Sequence, residues 1–268
     1  MGRWGNGIYE SDSALDYFGT ISDRLEREIA YWFSPEQVYE GSWWISRVMS
    51  PIEVILIFEQ NHIGSTVYLS DEKAVLRWRE IFLNVWDREW KGGIDPVEMD
   101  DYMYRQQHRP AIVAIFNRLE SIAHFWATIT IKGNNRKANF TPLLSEYSLP
   151  YFSTYPSNLI EDLIKDIIYW LSEEKRRETI TFYDASEKLP VAVDALGLLG
   201  EIYKQSIGVN EKTVNNWRNI TLERIRESDQ DLTISWETTT DEQYKIIKTT
   251  FDRLEAVAHK YPPENFWD

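Results

Sequence analysis

The chain has 268 residues, of which 43% are apolar and 27% charged, a globular composition with room for one large domain or two small ones. Its 43 Asp and Glu outnumber 29 Lys and Arg, for a formal charge of −14; this disfavours nucleic acid and anionic lipid, because phosphate binding draws heavily on Lys and Arg. There is no cysteine, which excludes disulfides, thiolate nucleophiles and Cys-ligated zinc.

The opening MGRWGNGIYESD has no apolar run behind its early Arg, and no later stretch is long enough to cross a bilayer. The expectation is a cytoplasmic protein that does not contact membranes. A helix is predicted over 12–32, with Asp12 as its cap and Leu15, Phe18 and Ile21 on its apolar side. Pro51 suits the first turn of a second helix, where a missing N–H costs nothing. From Ser70, read as an N-cap, Val75, Trp78, Phe82, Val85 and Trp86 form a helical stripe. Further helices are expected at 96–126, with a break before Pro110, and at 157–176 and 240–260. Pro190 is placed like Pro51, and Asn210 is a cap like Ser70. Three segments, ATITIK at 127–132, ETITFY at 178–183 and DLTISW at 231–236, alternate β-branched or aromatic residues and suit short strands.

The chain also repeats itself. PIEV at 51–54 matches PVAV at 190–193, and EKAVLRWREI at 72–81 matches EKTVNNWRNI at 211–220, at one offset that pairs Pro51 with Pro190, Lys73 with Lys212 and Trp78 with Trp217. EIAYWFS at 28–34 is echoed by DIIYWLS at 166–172, and RLESIAH at 118–124 by RLEAVAH at 253–259. The segments keep their order, which marks a duplication. The expected organisation is a first helical repeat over 1–131, a linker or crossover over 132–156, and a second, diverged repeat over 157–268. The expected fold is mainly α: a pseudo-symmetric helical bundle of two repeated halves, with at most a small β element.

The first copy opens on WGNGIYESDSALDYF, and this stretch resembles the start of a bacterial family known as domain of unknown function 4259. The matching residues are Gly2, Trp4, Gly5, Gly7, Tyr9, Asp12, Ala14, Asp16 and Tyr17. A typical member corresponds to about one half of this chain, so the resemblance reaches the second half only through the repeat. It implies a helical fold and brings no activity. Physically the stretch reads as a structural clasp: Gly5 and Gly7 let the chain turn tightly, with Trp4 and Tyr9 as apolar pegs. A hard-cation site using Glu10, Asp12 and Asp16 is the competing and less favoured reading.

The repeated RLE-x-x-A-H segment is the strongest candidate for chemistry. At i, i+4 spacing Glu120 and His124 share one helix face, as do Glu255 and His259, beside an apolar stripe. Converging across a twofold axis, the four would hold zinc, iron or manganese. The spacing departs from the Glu-x-x-His of di-iron bundles, and an inherited packing solution, with Arg118 and Arg253 satisfying carboxylates, is favoured over metal binding. No cofactor other than such a divalent metal is indicated. Two classes of function follow. The leading one is a non-enzymatic protein-binding or regulatory module of the immunity or inhibitor kind, whose acidic surface suits a basic partner and whose exposed aromatics would anchor it. The alternative is a metal-binding protein or metal-dependent enzyme built on Glu120, His124, Glu255 and His259.

Overall fold

The computed structural model describes residues 11–38, 42–61, 69, 71–88, 96–132, 156–172, 179–231 and 240–263. Every regular element among them is a helix: α1 (Asp12–Trp32), α2 (Ser42–Asn61), α3 (Glu72–Arg88), α4 (Pro96–Lys132), α5 (Ser157–Trp170), α6 (Thr179–Tyr203), α7 (Glu211–Asp231) and α8 (Thr240–Lys260). The fold is mainly α. None of these helices is long and apolar enough to cross a membrane.

The chain divides into two compact units, one of residues 19–155 and the other of residues 1–18 with 156–268. In the unit of residues 19–155, α3 packs on α4 around aromatic rings. Phe33 stacks on Trp78 at 5.8 Å between centroids, Trp44 on Phe82 at 5.7 Å, and Phe82 meets Phe116 at 5.4 Å. All five rings are buried, and each contributes roughly 1.5–3 kcal/mol by leaving water. In the other unit α6 packs on α5 and α8, and α7 on α8. Here the contact is between small and branched residues: Ala192, Ala195, Leu196 and Leu199 of α6 and Phe251, Leu254, Val257 and Ala258 of α8 are all buried. Gly200 sets the approach of α6, since a Cβ there would lie 2.3 Å from Val257 Cγ1 and 2.8 Å from Ile207 Cγ2.

Helix starts follow local chemistry. Ser11, rather than Asp12, caps α1: the Ala14 amide donates to Ser11 Oγ at 3.1 Å, and Asp12 is the first helical residue, where its charge suits the helix dipole. Asp71 caps α3, with the Lys73 amide donating to its Oδ1 at 2.8 Å; Ser70 lies outside the described residues. Asn210, at the position matching Asp71 in the repeat, caps α7 through the Thr213 amide at 2.8 Å, as expected.

The prolines depart from expectation. Pro51, Pro110 and Pro190 lie inside α2, α4 and α6, not at their starts or breaks. Each removes one backbone hydrogen bond, and burial on both sides offsets the loss at Pro51 and Pro190, where Met49, Ile52, Leu189 and Val191 are enclosed. Pro110 is exposed, as is Gln106 one turn before it, so the carbonyl that loses its donor is hydrated. The expected strands at 127–132 and 178–183 are also corrected: residues 127–132 finish α4 and residues 179–183 begin α6. The poorer helix propensity of β-branched and aromatic residues, at most about 0.7 kcal/mol per residue, does not outweigh continuing a helix that is already nucleated. Residues 232–236 lie outside the described residues.

Candidate functional site

The repeated RLE-x-x-A-H segments occupy equivalent stretches of α4 and α8. Leu119, Ile122 and Ala123 on α4, and Leu254, Val257 and Ala258 on α8, are buried. The Arg and the Glu of each motif are two residues apart, hence about 200° apart around a helix of 3.6 residues per turn. They flank the apolar stripe on opposite sides and reach different neighbours.

On one flank Arg118 meets Glu59 of α2 through both carboxylate oxygens, with Nε donating to Oε2 at 3.3 Å and Nη2 donating to Oε1. The side chains are 10% and 3% exposed. Burial pulls the Arg118 guanidinium below its ordinary value, against the attraction and hydrogen bonds of Glu59. In the second copy Arg253 Nη1 donates to Asp194 Oδ1 of α6 at 2.6 Å, and Nε lies 3.6 Å from Glu201. The Arg and its first acid are 59 residues apart in both copies.

On the other flank Arg79 Nη1 of α3 donates to Glu120 Oε2 at 3.4 Å, and Arg218 Nη2 of α7 lies 2.8 Å from Glu255 Oε2. Glu255 also accepts from Asn215 Nδ2 at 2.7 Å, and Arg218 donates to Asp252 at 2.8 Å. His124 Nδ1 lies 3.2 Å from Glu72 Oε1, and His259 Nδ1 lies 3.1 Å from Glu211 Oε2. Those histidines are 62% and 77% exposed. Arg79 pairs with Arg218, and Glu72 with Glu211, in the EK…WR repeat. The motif is therefore one half of a polar seam, and the other half is the second repeated segment.

This placement bears on what the seam does chemically. Glu120 and Glu255 each face a guanidinium that competes with any metal for their oxygens, and each His turns to a glutamate at the start of the adjacent helix. The two Glu–His pairs lie in different units. Among the described residues no group of three or more His, Asp or Glu side chains is arranged to hold a metal ion. Of the amino-terminal motif, Asp12 and Asp16 lie in the first turns of α1, and Trp4, Gly5 and Gly7 lie outside the described residues.

A second candidate lies where α1 ends and α2 begins. Trp32 and Trp43 meet edge to face at 5.4 Å, Tyr31 meets Trp32 edge-on at 5.0 Å, and the Arg47 guanidinium sits 5.4 Å from the Trp43 ring centroid and 5.9 Å from that of Trp32. Tyr31 is 53% and Trp43 54% exposed. The α1 end is fixed by the Trp44 indole, which donates to the Trp32 carbonyl at 2.8 Å. At the matching end of α5, Arg224 donates to the carbonyls of Trp170, Leu171 and Ser172 at 2.6, 2.7 and 3.0 Å. There Trp170 packs edge-on against Tyr17 at 4.7 Å while Tyr169 stays exposed. Arg47 carried no signal in the sequence beyond its spacing from Trp43, one turn along a helix.

No protein-family model matches the chain, and no curated protein and no solved structure shows significant similarity to it.

Proposed function

We propose that this is a non-enzymatic protein-binding or regulatory module of the cytoplasm, acting on another protein as immunity and inhibitor proteins do. The observation that carries the reading is the Tyr31–Trp32–Trp43 cluster, with Tyr31 and Trp43 exposed and Arg47 beside the rings. Trp, Tyr and Arg are the residues that dominate binding energy at protein interfaces, and holding large rings half in water has no benefit to the fold alone. The charge of −14 speeds the approach of a partner that is basic overall. The duplicated Glu and His residues weigh on the same side, since their cross-helix pairs give each of them a structural use. Kinship with the domain-of-unknown-function-4259 family remains part of the proposal, resting on Trp4, Gly5, Gly7, Asp12 and Asp16.

The test is affinity capture from native lysate at low salt, followed by direct binding measurement with the purified partner. A specific partner whose association slows as salt rises is the expected result. Retention of nothing specific at low salt counts against the reading.

A further inference from the structure

Arg47 lies beside aromatic rings rather than acids, as Arg226 does beside Tyr244. Arg79, Arg109, Arg118, Arg218 and Arg253 all meet carboxylates, yet among the described residues Arg47 contacts only the two indole faces. A guanidinium beside aromatic rings keeps the N–H groups with which arginine takes a carboxylate in a two-pronged bond.

We infer that the Tyr31–Trp32–Trp43–Arg47 cluster is the docking surface for a carboxylate-bearing segment of a protein partner, with Arg47 receiving the carboxylate and Trp43 and Tyr31 covering its apolar neighbours. The inference rests on the protein-binding reading above and names its surface and chemistry. Charge complementarity selects the occupant. Arg47 already holds the cation position beside both rings, so a partner lysine or arginine would meet a like charge there, whereas an Asp or Glu side chain meets a cation with no carboxylate beside it among the described residues. The net negative charge elsewhere steers a partner that is basic overall, and the local cation fixes where one of its carboxylates lands.

The probe is a phage-displayed library of random short peptides panned against the full chain, with selected peptides then titrated in solution by calorimetry. The expected winners carry an Asp or Glu beside apolar residues. Arg47→Gln, which removes the charge and keeps a polar side chain, weakens them by about 30-fold or more, and Trp43→Ala by a similar factor. Arg47→Gln decides the matter if Trp43→Ala shifts the thermal midpoint. Enrichment of peptides without a carboxylate, equal binding by Arg47→Gln, or no enrichment at all overturns the inference. A natural partner that still binds both variants leaves the protein-binding reading intact and removes this surface from it; loss of both peptide and partner binding in the parent chain removes both.

Discussion

Replacing Glu59 with Gln keeps the shape of a side chain that is 3% exposed and removes the charge that balances Arg118, itself 10% exposed. The substitution takes from the arginine the attraction and the hydrogen bonds of Glu59, in a site where burial already disfavours the cation. Breaking a buried pair from one side costs about 3–5 kcal/mol, and the amide oxygen of Gln retains one acceptor, which places Glu59→Gln near 3 kcal/mol. The repeated segment supplies an internal control. Arg253 is 38% exposed and also lies 3.6 Å from Glu201, so Asp194→Asn leaves its charge in contact with water and a second carboxylate. That loss is about 1 kcal/mol.

Urea unfolding followed by circular dichroism measures both losses, with hydrogen exchange resolving α2 and α4 from α6 and α8, since two units need not unfold as one. Exchanging both partners of the first pair, Glu59→Gln with Arg118→Met, removes the stranded charge and recovers most of the stability. Equal losses for Glu59→Gln and Asp194→Asn, or a double variant as unstable as the two single losses added together, would refute the assignment of Arg118 and Glu59 as a buried ion pair.

Gly200→Ala forces a Cβ to within 2.3 Å of Val257 and loses about 1–3 kcal/mol by overpacking α6 against α8, whereas Gly19→Ala enters open space within α1 and gains about 0.5–1 kcal/mol; thermal midpoints read both. Arg224→Ala leaves three carbonyls at the end of α5 without their charged donor and costs about 3 kcal/mol, with faster amide exchange concentrated in the last turn of α5. Metal content by plasma mass spectrometry is expected to stay well below one equivalent and to be the same in a Glu120→Ala/His259→Ala variant. One bound equivalent that disappears in the variant would make the seam a metal site.

Helix positions were largely legible because caps and apolar spacing are local. The spans of α1 and α8 match those expected, and Asn210 caps α7 as its side chain suggests. The prolines misled because their cost is set by surroundings: Pro51 and Pro190 sit in runs buried on all sides, and no local rule reports burial. α5 stops at Trp170 rather than at 176, where its last carbonyls are taken by Arg224 from a segment more than fifty residues on. The seam was half legible. Spacing put Glu120 and His124 on one face, but which helix lay across from that face is a tertiary fact. The signal was present all the same, because the polar residues shared by the EK…WR repeats, Glu72 with Glu211 and Arg79 with Arg218, are the partners of those shared by the RLE-x-x-A-H repeats.

The two copies also differ in a way that separates a packing role from a chemical one. Glu59 stands two helical turns beyond Pro51, whereas Asp194 stands one turn beyond the matching Pro190. A shift of one turn leaves a residue on the same face of its helix, so the acid has changed position while the arginine's need for it has been met. In α6 the stem of Arg253 lies over Gly197, whose missing side chain gives it room at 3.1 and 3.2 Å from where a Cβ would stand, with Asp194 on one side and Glu201 on the other. A metal or general-base site fixes its carboxylates to within a fraction of an ångström. A guanidinium laid against a neighbouring helix asks only that some carboxylate be within reach, and that weaker demand is the one both copies meet.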